Sequence, residues 1–453
     1  MSKDKINIKI IKNFKSKIMN NKRNIRIYLP PSYSAQTDKY YPVLYVHDGQ
    51  NIFDALESYS GQSWNLHHTA DSLIKDKMIE EIIIVAVDNM GEERLSEYAH
   101  QDGFFQGAEI KARGIKYERF FIKELMPFIE RKYRVKKGSE NTALMGSSMG
   151  GLVTFNMGLR RPDLFGKLGV VSPSLWWGDN DAAAKLKSYD YQGLKSKIWL
   201  DTGDAEGRFM SFTEDVIAEI KNIKNNYDLD LVYYQAPDAV HSESAWAKRV
   251  HSPLIYFFGE IGEIETVELI GREEISLNGS QIRLNPVLTF DSSFKITALE
   301  GEYKSLKPEL LKINNYGTLI PKQTGTVKIK FNVWGHSAFK NIKIVEKLSS
   351  KVNIDIYLQV KNQNETQIKE VYLADNEPQE IKMDHLDNSY YKRSLKLKRD
   401  EIINFKFTLG SWSTVEKNEE GKDVESHFIK ADEDKTLYFE VKNFGNLIPL
   451  TKK

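Results

Sequence analysis

Thr142-Ala143-Leu144-Met145-Gly146-Ser147-Ser148-Met149-Gly150-Gly151 is the stretch that decides the fold. A short apolar run leads into G-x-S-x-G, and a helical pattern follows, with Leu152, Phe155 and Leu159 at three- and four-residue steps. Such an arrangement turns a strand sharply into a helix and lifts a serine hydroxyl into open space. The turn strains the serine backbone, so only small residues fit two positions to either side. Gly146 and Gly150 are those residues for Ser148, whereas Met145 and Met149 would crowd Ser147 in the same frame. Ser148 is the candidate nucleophile. The dipole and free N–H groups of the helix that starts at Met149 favour a developing oxyanion. The plainer alternative is a Gly-Ser turn that only joins a strand to a helix.

Working outward, short apolar runs at 25–29, 43–47, 82–87, 143–145, 168–171, 198–200 and 231–234 alternate with helical patterns at 117–133, 213–225 and 245–258. Strand–helix alternation predicts a mostly parallel sheet covered on both faces, hence an α/β domain over residues 1–260. Beyond it the helical periodicity fades, and alternating segments appear between Gly, Pro and Asn turns. Residues 263–346 and 348–453 are each near the size of a small β-sandwich, joined by the short linker Leu348-Ser349-Ser350. The expected architecture is an α/β-hydrolase domain followed by two β-sandwich domains.

Composition excludes several classes. The chain has 64 basic and 63 acidic residues, so nothing draws it to nucleic acid or an anionic membrane. With no cysteine, disulfides, thiolate metal sites and a cysteine nucleophile fall away together. No apolar run approaches the ~20 residues that span a bilayer, and membrane insertion is not expected. The Lys-rich start, with Ile6-Asn7-Ile8-Lys9-Ile10, alternates like a strand and lacks the apolar core of a signal peptide. The chain as written reads as cytoplasmic, with export open if a leader was trimmed.

An activated serine needs a base, and the base needs an orienting acid, in the chain order serine, acid, histidine. Five histidines follow Ser148: His241, His251, His336, His385 and His427. His241 lies just after the run at 231–234 and the turn Ala236-Pro237-Asp238, where a loop delivers a base to the top of a sheet. His251 falls inside the last helical pattern and reads as a packing residue. The acid should follow the run at 198–200, in Asp201-Thr202-Gly203-Asp204-Ala205-Glu206-Gly207. Glu206, deeper in the loop, is preferred over Asp204 and Asp201, and a Ser–His pair without an essential acid is a further alternative. For the oxyanion hole the expected donors are the N–H groups of Met149 and of Gln50, in the loop His47-Asp48-Gly49-Gln50-Asn51. Trp176 and Trp177, in Ser172-Pro173-Ser174-Leu175-Trp176-Trp177, either line an acyl or sugar pocket or cap the core.

Five motifs in order carry a family resemblance: Arg26-Ile27-Tyr28-Leu29-Pro30-Pro31-Ser32-Tyr33, Tyr45-Val46-His47-Asp48-Gly49-Gln50-Asn51-Ile52-Phe53-Asp54, Gly146-Ser147-Ser148-Met149-Gly150-Gly151, Asp201-Thr202-Gly203, and His241-Ser242-Glu243-Ser244-Ala245-Trp246. Over about residues 10–260 the chain resembles the Putative esterase family of α/β-hydrolases, which includes enterochelin esterase-like enzymes, esterase D, and feruloyl and acetylxylan esterases. The resemblance implies Ser148 as nucleophile, His241 as base, an acid in the loop that holds Glu206, and no metal or organic cofactor. Many relatives carry aspartate at the acid, so Glu206 departs from the usual residue. Residues 263–346 resemble bacterial Ig-like domains through Tyr303-Lys304-Ser305, Gly317-Thr318-Leu319-Ile320-Pro321 and Gly325-Thr326-Val327-Lys328-Ile329. The last block resembles starch-binding-type carbohydrate-binding modules through the segment 405–416, in which Trp412 either stacks on a sugar or sits in the core.

These readings converge on a serine carboxylesterase that acts through an acyl-enzyme on a small-molecule or glycan ester, with an acylated carbohydrate preferred. The alternatives are a siderophore (enterochelin-type) or S-formylglutathione esterase, and a carbohydrate-binding protein with a degenerate hydrolase domain.

Overall fold

The computed structural model describes residues 7–58, 61–178, 181–206, 213–361, 368, 370–375, 377–387, 389–418, 421, 424 and 426–445. Eight strands form the main sheet: β1 (Ile8–Ser16), β2 (Asn21–Tyr28), β3 (Val43–His47), β4 (Ile83–Val87), β5 (Thr142–Ser147), β6 (Lys167–Val171), β7 (Lys197–Gly203) and β8 (Leu231–Ala236). Their spatial order is β1-β2-β4-β3-β5-β6-β7-β8. The pairs β1/β2 and β2/β4 are antiparallel. Every pair from β4 to β8 is parallel. This is the α/β-hydrolase arrangement that the sequence predicts for its N-terminal part.

β3, β4 and β5 are buried along their whole length. Strands covered on both faces read as unbroken apolar runs, which is why these were visible in the sequence. The two-residue period sorts them. Val43, Tyr45, Ile83 and Val85 join the core on one face. Leu44, Val46, Ile84 and Ala86 join the core on the other. The first core is closed by α2 (Arg94–Tyr98), α3 (Gly114–Phe120), α4 (Met126–Lys132), α5 (Met149–Arg160), α6 (Ala182–Lys187) and α7 (Glu214–Tyr227). The second is covered by α1 (Leu66–Lys75) and α9 (His251–Phe258).

Two predicted helices are modified by proline. The pattern at 117–133 is continuous, but a π-turn at Phe121–Leu125 links α3 to α4. Pro127 follows directly and has no N–H for the carbonyl one turn back. The pattern at 245–258 is not one helix. It splits into α8 (Glu243–Ala247) and α9, because Pro253 is tolerated only in a first helical turn.

Residues 264–345 form three small sheets: Ile264–Ile270 with Asn285–Phe290 and Lys295–Thr297; Glu274–Ser276 with His336–Val345, Gly325–Val333 and Glu302–Ser305; and Leu311–Ile313 with Leu319–Pro321. This region shares one hydrophobic cluster with α1 and α9. Phe294 packs between Trp199 of β7 and Tyr256 of α9, with ring centroids 5.9 and 6.1 Å away. It also closes the open edge of β8. The Gln235 N–H donates to Thr297 Oγ1 (2.9 Å), and its carbonyl accepts from Asn285 Nδ2 (2.9 Å). Polar side chains thus satisfy an edge that would otherwise recruit another strand.

Residues 351–444 enclose a separate core between two four-stranded sheets. Along Lys351–Val360, Val352, Ile354, Ile356, Leu358 and Val360 point inward, every second residue. Trp412 is half exposed on a 3-10 turn rather than in that core. Among the described residues no helix is long and apolar enough to cross a membrane.

Candidate active site

β3, β5, β7 and β8 all end on one edge of the sheet, and each delivers one part of the site. β5 runs into Ser148, whose backbone (φ 58°, ψ −123°) lies in a strained region, and α5 begins at the next residue. The glycines are required by contact. A β-carbon on Gly146 would lie 2.5 Å from the Gly150 carbonyl oxygen, and one on Gly150 would lie 2.9 Å from Asp48 Oδ2. The backbone of Ser148 is tied to the end of β6. Its N–H donates to the Val171 carbonyl (3.0 Å), and its carbonyl accepts from the Ser174 N–H (3.1 Å).

β3 delivers the turn Gly49–Asn51 beside this elbow. Asp48 precedes it in the left-handed conformation (φ 59°). The Asp48 carboxylate accepts from Arg94 Nε (2.7 Å) and Nη2 (2.8 Å) and from Asn89 Nδ2 (2.7 Å). Burial works to raise its pKa, but the Arg94 guanidinium outweighs that and holds it below the usual carboxylate range. Gln50 Oε1 accepts from the Asn89 N–H (3.1 Å). Among the described residues, neither the Gln50 nor the Met149 N–H has a hydrogen-bond partner. Both sit at the start of a helical turn, where N–H groups have no acceptor within the turn.

β7 and β8 lead into the loops that hold the candidate acid and the candidate base. Of the three loop carboxylates, Glu206 is brought to His241: Nδ1 and Oε2 are 2.9 Å apart. The Glu206 side chain is wholly buried, while that of His241 is partly open. Burial pushes the Glu206 pKa up, but the His241 hydrogen bond, His241 and Arg249 charges and Ser172 bring it below its ordinary value. Asp204 is turned away to accept from the Asp238 N–H (2.7 Å). Asp201 is enclosed, and burial leaves its pKa raised despite the Arg249 charge. Gly207 lies outside the described residues.

Ser148 and His241 are not joined by a hydrogen bond among the described residues. Ser148 Oγ instead faces Ser174 Oγ at 3.3 Å. Long or absent contacts of this sort are common before a substrate is bound. His251 donates from Nε2 to the Ser293 carbonyl (3.0 Å), away from this cluster.

The tryptophan pair separates into two roles. Trp177 is buried, and its Nε1 donates to the Gln101 carbonyl (3.0 Å). It lies within the first core, with its ring packed against Gly103. Trp176 is partly open and stacks with Phe105 (centroids 6.5 Å apart, 29° between planes). Phe105 belongs to a hairpin, Gly103–Phe105 with Ala108–Ile110, whose Phe104 is 72% exposed.

Sequence reasoning missed the roles of Ser172, Trp246 and Arg249. Ser172 Oγ is 2.6 Å from Glu206 Oε1, 2.7 Å from Arg249 Nη2 and 3.0 Å from Trp246 Nε1. The one available signal was the position of Ser172 at the end of β6, next in the sheet after β5. Among the described residues, no group of three or more His, Asp or Glu side chains is arranged to hold a metal ion.

Comparison with known proteins bears on the same part of the chain. Residues 16–257 match the family described as Putative esterase. The protein is 24% identical over 252 residues to "Uncharacterized protein YbbA" of Bacillus subtilis (strain 168), covering 52% of this chain and 93% of that one. It is 28% identical over 174 residues to an "Endo-1,4-beta-xylanase/feruloyl esterase" of Xylanibacter ruminicola, covering 38% of this chain and 22% of that one. It is 26% identical over 129 residues to an "Iron(III) enterobactin esterase" of Escherichia coli (strain K12), covering 27% of this chain and 31% of that one.

Proposed function

The chain belongs to the Putative esterase family, and from that premise we propose that it is a serine carboxylesterase with Ser148 as nucleophile, His241 as general base and Glu206 as the acid that orients it. The observation that carries the reading is the strained Ser148 backbone, on the same sheet edge as the Glu206–His241 pair. In the reaction, Ser148 Oγ turns from Ser174 towards His241 Nε2, loses its proton there and attacks the ester carbonyl. The N–H groups of Gln50 and Met149 receive the oxyanion. His241 then hands its proton to the leaving alcohol, and water repeats the sequence to release the acid. Free N–H groups at both positions support the oxyanion assignment.

For the substrate we favour an acylated carbohydrate. The partial match to a xylanase/feruloyl esterase supports this. So does the partly open Trp176–Phe105 stack, which suits a ring-bearing ester. We read residues 263–346 as an Ig-like domain and 348–453 as a carbohydrate-binding-module-like domain, whose half-exposed Trp412 is available for stacking. The partial match to an enterobactin esterase supports a siderophore ester as the second reading.

Ser148→Ala should abolish hydrolysis of p-nitrophenyl acetate and labelling by a fluorophosphonate probe. Wild-type turnover in that variant would overturn the assignment. A screen over acetylated, feruloylated and trilactone siderophore esters separates the substrate readings.

A further inference from the structure

We propose that Ser172, Arg249 and Trp246 are positioning residues that fix the tautomer of His241, acting through Glu206. This rests on the esterase reading and goes beyond it. The argument is a count of protons. A tryptophan indole and an arginine guanidinium are donors only, and a serine hydroxyl offers one hydrogen and two lone pairs. Ser172 Oγ receives the Trp246 Nε1–H (3.0 Å) and an Arg249 Nη2–H (2.7 Å). Both lone pairs are then filled, and its hydrogen has one destination, Glu206 Oε1 at 2.6 Å. That oxygen also receives the Gly203 N–H (2.6 Å), and the positive charge of Arg249 Nη2 lies 3.2 Å from it. Oε1 is surrounded by donors and has no room for a proton of its own.

The remaining oxygen, Oε2, faces His241 Nδ1. With Glu206 ionised, that contact is a hydrogen bond only if Nδ1 carries the hydrogen. In the neutral ring Nε2 is then a bare lone pair, which is the form a general base requires. Arg249 is kept buried by a second partner. Asp201 Oδ1 accepts from Arg249 Nε (3.1 Å) and Nη2 (3.0 Å), and Asp201 Oδ2 accepts from Trp199 Nε1 (2.6 Å). This assigns Asp201 a role distinct from the triad acid: it is the counter-ion that lets Arg249 sit behind Glu206. The Trp246 ring meets the His241 ring edge to face (centroids 5.0 Å apart, 87° between planes), while its N–H serves Ser172 Oγ.

The test is Ser172→Ala, which changes no charge and removes the hydroxyl node. With p-nitrophenyl acetate, kcat should fall at least about tenfold at unchanged KM, as expected when only the orientation of the base is lost. The low-field proton NMR resonance of the His241 Nδ1–H, identified by its absence in His241→Gln, should shift or broaden in Ser172→Ala. Unchanged kcat, or an unchanged resonance, overturns the proposal. If Ser172→Ala does not fold, Trp246→Phe keeps an aromatic ring beside His241 and removes the N–H together with the pyrrole half of the indole. The same kcat loss at constant KM, with the same movement of the resonance, is expected there, and a change in thermal stability alone refutes the idea. The resonance is read without turnover. If the wild type shows no Ser148-dependent hydrolysis, the esterase reading fails while the network is still judged by the NMR signal.

Discussion

Gly49→Ala is the sharpest probe of the oxyanion turn. A β-carbon at residue 49 would lie 2.7 Å from Asp88 Oδ1 and 2.8 Å from both the Ala86 carbonyl carbon and the Asp88 nitrogen. Ordinary contact begins at 3.4 Å, so the overlap is about 0.6–0.7 Å. Neither neighbour yields easily. Ala86 belongs to β4, inside the sheet, and the Asp88 carboxylate is held by Arg26 Nε (2.7 Å) and Nη2 (3.0 Å). The turn carrying Gln50 must move instead. An oxyanion donor acts at 2.7–3.1 Å, so a shift of this size removes the Gln50 N–H from use. Loss of one such donor costs about 10²–10³ in kcat. Overpacking costs roughly 1–3 kcal/mol of stability, which leaves the enzyme folded. The assay pairs kcat on p-nitrophenyl acetate with thermal unfolding. A folded Gly49→Ala variant with kcat within about threefold of wild type would refute the role given to Gln50.

Three further outcomes follow from the structure. The Glu206 carboxyl is depressed in the folded state, so its contribution to stability is present above its unfolded pKa and is lost as pH falls through the folded value. Tm measured against pH should show Glu206→Gln less stable than wild type near neutrality, with the gap closing below about pH 4; a gap that persists in acid contradicts the assignment. Trp176→Ala should raise KM for aryl esters several-fold, near the ~1 kcal/mol of an aromatic contact, while Trp177→Ala should cost about 3–5 kcal/mol of stability in chemical denaturation; the reverse pattern would undo the division of roles. Phe294→Ala should cost about 3–5 kcal/mol and destabilise the esterase sheet together with the 264–345 region; calorimetry that shows the sheet unaffected would argue against their shared core.

The parallel strands were legible because they are buried on both faces, and a run such as Val43–His47 has no polar residue to break it before the histidine. The split at 248–250 was foreshadowed only by Pro253, which is masked by an apolar pattern that continues through Leu254, Ile255 and Phe258. The docking of the 264–345 region on β8 left no periodic trace. It depends on Thr297 and Asn285, two polar residues whose side chains act as substitute backbone for an edge strand. Periodicity reports which face of an element is apolar, not which neighbour covers it.

The site shows the same division in a sharper form. Ser148 was legible because the residues that must be small are two positions away in sequence, Gly146 against the Gly150 backbone and Gly150 against Asp48 Oδ2. The choice among Asp201, Asp204 and Glu206 depends on donors that are far off in sequence, with Ser172 34 residues from Glu206 and Arg249 77 residues from Ser172. The two serines make the point. Ser148 and Ser172 leave adjacent parallel strands, and both have positive φ, 58° and 39°. By the sign of φ alone they are alike. Ser172 Oγ is saturated by one acceptor and two donors, and its hydrogen is committed. Among the described residues, Ser148 Oγ has one hydrogen-bond contact, 3.3 Å to another hydroxyl. A positive φ therefore accompanies the proposed nucleophile at one strand end and the proposed strut at the next, and the difference lies in which hydroxyl the surrounding donors leave unclaimed.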